Sequence, residues 1–130
     1  MAPLLKSLDA VTLFVKDPQQ SKVFYRDVFG LPVHFEDDNS VVFMLDNQLL
    51  NLLALSQAPG LIEPAKVAAL ESGSRFQFTI AVDDTDAVCE ELARRGVTLL
   101  NGPMNRPWGV RTAAFADPDG HVWEVAQSLR

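Results

Sequence analysis

The chain has 130 residues, of which 48% are hydrophobic and 22% charged, and these values fit one globular domain with a buried core. Its net charge is −6, which argues against nucleic-acid binding because phosphate contacts need a basic face. The single cysteine, Cys89, excludes an internal disulfide and a cysteine metal site, so we expect the reducing cytoplasm as its compartment. No apolar run reaches the ~18 residues of a membrane helix, and no membrane association is predicted.

The sequence contains one internal repeat. Residues 12–17 read Thr-Leu-Phe-Val-Lys-Asp, and residues 79–84 read Thr-Ile-Ala-Val-Asp-Asp, an offset of 67 residues. Each run leads into a helical stretch that ends in a glycine, Gly30 or Gly96. With only two copies, the pattern indicates a duplicated module and not a solenoid.

The first half predicts one helix and four strands. Asp17 and Pro18 are typical of a helix start, and the helix is expected over 19–29 with Val23, Phe24 and Val28 as its buried stripe. Alternating or continuous apolar residues predict strands over 9–16, 32–36, 41–45 and 49–55.

The second half repeats this order after a connector over 56–73, in which a short helix is expected around 65–70. A helix is predicted over 86–95, capped by Asp84 or Thr85, with Val88 and Leu92 on its inner face. Strands are expected over 76–82, 97–100, 110–116 and 121–127, with turns at 102–103 and 117–120. The result is an α+β protein with two βαβββ modules, 8–55 and 74–127, in a single domain over 1–130.

Strand alternation places a set of polar residues on one face of each module. Val11, Leu13 and Val15 are expected to face the helix, which leaves Ala10, Thr12 and Phe14 on the other side. The same reasoning gives Gln77, Thr79 and Ala81 in the second module. Asn51 and Glu124 interrupt apolar strands in the same way, and we expect these faces to line a cleft.

Four motifs in order resemble the vicinal oxygen chelate superfamily of glyoxalases, bleomycin-resistance proteins, extradiol dioxygenases and fosfomycin-resistance enzymes. The motifs are Phe-Tyr-Arg-Asp-Val-Phe-Gly-Leu at 24–31, Val-Asp-Asp at 82–84, Arg-Pro-Trp-Gly-Val-Arg at 106–111 and Asp-Pro-Asp-Gly-His-Val-Trp-Glu at 117–124. The resemblance covers roughly residues 8 to 127. It implies that the two modules form an incurved mixed sheet of eight strands, and that the protein is a homodimer.

The resemblance also implies positions for metal ligands, which the superfamily's metal enzymes take from the first and last strands of each module. In this chain those positions are Ala10, Asn51, Gln77 and Glu124. Alanine has no ligand atom, and the two amides are weak neutral ligands, whereas a catalytic divalent ion needs about three good ones. We therefore expect no metal cofactor.

Further candidates for ligand contacts lie outside these four positions. Trp108 could stack on a flat or cationic ligand or serve as a dimer contact. Arg111 could bind a ligand carboxylate, pair with Glu124 or form a surface ion pair. Phe14 is a cleft or core residue. Cys89, His34 and His121 are expected to have structural roles.

Two functions follow from these observations. The first is a metal-independent protein that binds a small molecule and sequesters an amphipathic or cationic aromatic compound, as the bleomycin-resistance branch of the resembled superfamily does. The second is a glyoxalase-like lyase or isomerase with Glu124 as general base, with or without a divalent metal. The missing ligands favour the first, which is not an enzyme, and neither identifies the ligand.

Overall fold

The computed structural model describes residues 2–130, which divide into two compact units, one ending at Val67 and the other running from Ala68 to Arg130. The first unit contains one long helix and one four-stranded sheet of order β1-β4-β3-β2, in which β1 and β4 are parallel and the other neighbours antiparallel. Its elements are β1 (Ala10–Val15), α1 (Pro18–Asp27), β2 (Val33–Glu36), β3 (Ser40–Leu45) and β4 (Gln48–Ala54).

The second unit repeats this topology. Its sheet has the order β5-β8-β7-β6, again with the first and last strands parallel. Its elements are β5 (Phe78–Ala81), α3 (Thr85–Arg94), β6 (Asn101–Arg106), β7 (Val110–Ala116) and β8 (Val122–Ser128). The predicted α+β fold with two βαβββ modules is confirmed.

Aspartate caps start both long helices, as the sequence predicts. The Asp17 carboxylate accepts a hydrogen bond from the backbone N–H of Gln19 at 3.0 Å, and Asp84 accepts one from Ala87 at 3.1 Å. These bonds satisfy N–H groups that have no partner within the helix. Asp84, and not Thr85, is therefore the cap of the second helix.

The buried face of α1 differs from the predicted stripe. Ser21 and Tyr25 are buried in the helix and Val28 just after it, whereas Val23 is 47% exposed and Phe24 half-buried. These three buried positions follow the i, i+4, i+7 spacing of one helix face. Val23 was predicted to be buried because it is hydrophobic, but this face of the helix buries the small Ser21.

The buried face of α3 was also only partly predicted. Leu92 is buried as expected, but Thr85 and Cys89 are its buried neighbours and Val88 is half-buried. Thr85 is accommodated because its hydroxyl donates to the Arg111 carbonyl at 2.7 Å and its N–H to Gln127 Oε1 at 2.9 Å. The buried Cys89 matches the expected structural role.

The connector and the strand after α3 correct two predictions. No helix forms over 65–70; a short helix α2 lies at Pro59–Ile62, with single 3₁₀ turns at Leu55–Gln57 and Leu70–Ser72. Pro59 suits the first turn of α2. Pro64 disfavours a helical conformation for Glu63, the residue before it, so α2 ends at Ile62.

The strand predicted over 97–100 instead lies at Asn101–Arg106 as β6. The glycine and proline at 102–103, predicted as a turn, lie inside it at an irregularity of register between Asn101 and Met104.

A tight turn precedes the last strand. The N–H of Gly120 donates to the Asp117 carbonyl at 3.0 Å, and the His121 side chain places Nδ1 2.9 Å from Asp117 Oδ2. His121 thus lies in the turn before β8, in the structural role expected for it, and Trp123 in β8 is buried. His34 lies exposed in β2.

Within residues 2–130, no helix is both long and apolar enough to cross a membrane.

Replacing Gly102 with alanine is expected to destabilise the second sheet strongly. Gly102 has φ +86°, and a Cβ there would lie 2.5 Å from the Thr112 carbonyl oxygen and 2.7 Å from the Ala113 Cα. The matched control is Gly96→Ala, at φ +85° with open space around the added methyl. The control should cost roughly 1–2 kcal/mol of unfolding free energy from backbone strain. Because of the clash, Gly102→Ala should lower the unfolding free energy, measured by urea denaturation, by about 1–3 kcal/mol more than Gly96→Ala does. Equal decreases in the two variants would contradict this.

The pair of His121 and Asp117 is expected to make stability depend on pH. Burial disfavours the charged imidazole, but the hydrogen bond to Asp117 and the charges of Asp117 and Asp119 outweigh it and raise the pKa of His121. The stability it contributes is complete below the unfolded pKa of about 6.5 and is lost as pH rises through the folded pKa.

The melting temperature measured from pH 5.5 upward tests this pair, because it should decline as pH rises and His121→Gln should remove that decline. His34→Gln, at an exposed strand position, is the control and should retain the decline. The same pH dependence in His121→Gln and in the unsubstituted protein would contradict the role of the pair.

Candidate functional site

A polar pair joins the parallel strands of the first unit. Thr12 in β1 is directly opposite Asn51 in β4, and Asn51 Nδ2 donates to Thr12 Oγ1 at 3.5 Å. Asn51 Oδ1 is buried and has no hydrogen-bond partner among the residues that the structure describes. A buried acceptor without a donor costs free energy, so this atom is a ready partner for a donor from a ligand.

The second unit has an equivalent pair. Thr79 in β5 is directly opposite Glu124 in β8, and the Thr79 hydroxyl donates to Glu124 Oε1 at 3.0 Å. Glu124 is half-buried, and this is the one hydrogen bond that its side chain makes within residues 2–130. Its second oxygen, Oε2, therefore keeps its capacity to accept from a ligand.

The two pairs occupy corresponding places in the repeat. Thr12 and Thr79 head the two repeated runs, and each threonine contacts the polar residue opposite it on the last strand of its own unit. The parallel register puts these side chains next to each other on one face of the sheet. The duplicated fold thus holds one amide in one copy and one carboxylate in the other.

The structure places the remaining two predicted positions close to these pairs. Ala10 is exposed at the start of β1, two residues before Thr12, and shares its face by alternation. Gln77 is exposed just before β5, two residues ahead of Thr79. Neither residue has a described side-chain partner that would hold it in position to coordinate a metal.

These residues do not fit a metal ion. Of the four positions implied by the resemblance, Ala10 has no donor atom and Glu124 alone has a charged one. No group of three or more histidine, cysteine, aspartate or glutamate side chains within residues 2–130 is placed to hold one. The donor chemistry of the chain, and not an empty site, is what argues against a metal.

Arg111 lies elsewhere, which corrects the suggestion that it pairs with Glu124. Its guanidinium forms two bonds with the Asp86 carboxylate of α3, at 2.9 and 3.0 Å, and a third with Asn105 at 3.0 Å. This ion pair raises the pKa of Arg111 and lowers that of Asp86. Since Ala114 is opposite Glu124 in the register, alternation puts Arg111 on the opposite, helical face of the sheet.

The aromatic candidates differ in exposure. Phe14 is half-buried in β1 and shares a face with Thr12 by alternation. Trp108 lies in the turn between β6 and β7 and is 63% exposed. The Arg106 guanidinium carbon lies 6.0 Å from the Trp108 ring centroid.

Sequence reasoning missed two features of these surfaces. It placed Thr12 and Thr79 on the cleft faces but did not identify them as partners of Asn51 and Glu124. The aligned repeat contained that signal, because each threonine has the same place in its module. In the sequence Arg106 is marked only as the first residue of the motif at 106–111, and its contact with Thr112 requires the pairing of β6 with β7.

A family model and two curated relatives match the chain. The model of the Glyoxalase/Bleomycin resistance protein/Dioxygenase superfamily matches residues 7–125. The chain is 30% identical over 125 residues to the uncharacterized protein YraH of Bacillus subtilis, covering 92% of this chain and 96% of YraH. It is 29% identical over 122 residues to the glutathione transferase FosA of Serratia marcescens, covering 94% and 81%.

Solved structures show the same fold. A glyoxalase/bleomycin resistance protein/dioxygenase from Nocardioides superposes with a TM-score of 0.88 at 20% identity, over 99% of this chain and 87% of that one. TnmS3, an antibiotic-binding protein from Streptomyces sp. CB03234, superposes with a TM-score of 0.74 at 26% identity, over 98% and 99%. With the family model spanning both βαβββ units, this chain belongs to the glyoxalase/bleomycin resistance protein/dioxygenase superfamily.

Proposed function

We propose that this protein binds a small molecule without a metal ion, and that the ligand is an amphipathic or cationic aromatic compound that it sequesters. The observation that carries the proposal is the Glu124 carboxylate, held by Thr79 through one oxygen and free to accept through the other. A half-buried carboxylate without a basic partner favours a ligand that supplies an N–H donor or a positive charge.

Three further observations support this class of ligand. The unpartnered Asn51 Oδ1 in the first unit is also an acceptor that a donor would satisfy. The net charge of −6 favours the approach of cations. TnmS3, which resembles this chain over nearly its whole length, is an antibiotic-binding protein.

A homodimer in the cytoplasm completes the proposal. Phe35 and Leu100 are more than half exposed, at 55% and 58%, and covering such apolar side chains in a dimer would remove them from water. The lone thiol, Cys89, which is buried and free, supports a reducing compartment.

An enzyme is the second candidate. The chain retains a carboxylate at one of the superfamily's ligand positions, and its relative FosA is a glutathione transferase. In this alternative Glu124 acts as a general base in a glyoxalase-like lyase or isomerase, and Thr79 orients the carboxylate. The two candidates differ in whether a bound compound is released unchanged.

Replacing Glu124 with glutamine is expected to weaken binding of cationic aromatic compounds at least about tenfold, since a charge-assisted hydrogen bond is replaced by a neutral one. Isothermal titration against a panel of such compounds measures this. Glu90→Gln is the matched control, because Glu90 is 73% exposed on α3 and forms only a long ion pair with Arg94, at 3.9 Å, within residues 2–130.

The proposed site would be contradicted if no compound of the panel bound, or if Glu124→Gln and Glu90→Gln bound the compounds with equal affinity. Mass spectrometry of the compound after incubation separates the two candidates. A chemically changed product that Glu124→Gln fails to form would support the enzyme.

Metal analysis is expected to show the protein substantially metal-free. Protein purified without chelators should contain well under one equivalent of any first-row metal, because Ala10, Asn51 and Gln77 replace strong ligands. Added Zn²⁺, Ni²⁺, Mn²⁺ or Fe²⁺ should not raise the melting temperature of the protein. One bound metal per chain, with a stabilisation that Glu124→Gln abolishes, would instead favour the metal-dependent enzyme.

A further inference from the structure

Arg106 in β6 is held in place by neutral oxygens. Its Nε donates to Thr112 Oγ1 at 2.9 Å and its Nη2 to Asn101 Oδ1 at 3.4 Å. Thr112 is only 1% exposed, so the first of these bonds has a buried anchor. No carboxylate within residues 2–130 forms an ion pair with this guanidinium.

Four of the seven arginines form ion pairs with carboxylates: Arg26, Arg94, Arg95 and Arg111. Arg75, Arg106 and Arg130 form none within residues 2–130, and of these three Arg106 is the one whose guanidinium donates to described side chains. Arg106 is instead oriented by a hydroxyl and an amide, which fix the guanidinium without neutralising it. Two of its five N–H donors are used, and the remaining three are available to a planar anion.

The register relates Arg106 to the proposed site. Ala114 is opposite Glu124, and Thr112 lies two residues away on the same strand, so Thr112 and Glu124 share a face of the second sheet. Neighbouring strands are about 4.8 Å apart and alternate residues about 7 Å apart, which puts the two groups within reach of one small molecule. The guanidinium bound to Thr112 therefore lies on the Glu124 face.

An apolar surface adjoins the guanidinium. The Trp108 ring lies 6.0 Å from Arg106 and is largely exposed. An exposed indole beside a fixed positive charge suits an acidic group attached to a flat or apolar body.

We propose that Arg106 is an anion subsite, and that the ligand carries a carboxylate or a phosphate or phosphonate group in addition to the group that contacts Glu124. The ligand class is thus amphoteric: a donor or cation for Glu124, an anion for Arg106 and an apolar body near Trp108. This inference rests on the proposed function and narrows its ligand.

Four probes with one aromatic ring test the subsite: benzoate, phenylphosphonate, the neutral benzyl alcohol and the cationic benzylamine. Titration followed by ¹H–¹⁵N spectra of the arginine Nε and tryptophan Nε1 groups should show both anions shifting Arg106 and Trp108. Benzyl alcohol should not shift the Arg106 signal. Benzoate and phenylphosphonate separate a carboxylate subsite from a phosphonate subsite.

Arg106→Gln should weaken anion binding at least about tenfold, because a bidentate charge-assisted contact is lost. Arg106→Lys, which keeps the charge without the planar fork, should retain part of the affinity. Thr112→Val removes the anchor of Nε and should weaken binding severalfold, and it provides a test if Arg106→Gln does not fold. Arg94→Gln is the control, at an arginine paired with Glu91 on α3.

Equal affinity for benzoate, phenylphosphonate and benzyl alcohol would overturn the inference, as would anion binding that Arg106→Lys and Thr112→Val leave unchanged. Absence of anion binding at millimolar concentrations would also overturn it. The proposed function fails separately, when benzylamine and the larger cationic compounds bind independently of Glu124. Benzylamine binding that needs Glu124, without any anion effect at Arg106, would leave the proposed function standing alone.

Discussion

The parallel pairing of the first and last strands in each unit is the constraint on which the candidate site depends. In a βαβββ module the chain leaves β1, crosses through a helix and returns so that β4 lies beside β1 in parallel. This register sets Thr12 against Asn51, and the same pairing in the second unit sets Thr79 against Glu124. A one-residue slip would turn each polar side chain to the helical face, where the core would exclude it.

The two units share the same strand pairing but differ in the polar side chain opposite the threonine. Both units keep the threonine, but one places an amide opposite it and the other a carboxylate. Amide and carboxylate oxygens both accept hydrogen bonds, whereas a divalent metal needs several strong ligands, so the residues at these positions suit hydrogen bonding to a ligand better than metal coordination. The superfamily fold alone does not decide between binding and catalysis; the side chains on these faces do.

The sequence predicted the architecture well because its signals are local and repeated: aspartate caps, glycine stops, apolar alternation and a tight turn at 117–120. It failed where tertiary contacts decide. Ser21 is buried in place of Val23 because the face of α1 is set by its sheet. β6 begins after the apolar run 97–100 because Asn101–Arg106 is the segment that pairs with β7.

The site was predicted to the level of strand faces. Asn51 and Glu124 were identified because a polar residue interrupts an apolar strand, whereas their threonine partners required the register between strands. Arg111 was considered for the cleft, but parity in β7 and the carboxylate of Asp86 hold it on the helical side. Arg106 gave no signal by itself, since its contacts with Thr112 and Asn101 depend on the pairing of β6 with β7.

The carboxyl ¹³C resonance of Glu124, recorded in the presence of a chelator, tests the central claim most directly. A cationic aromatic ligand at saturating concentration should shift this resonance while the Glu90 resonance stays unchanged. A Glu124 resonance that responds to no ligand under these conditions, or only after a divalent metal is restored, would contradict a metal-independent binding site.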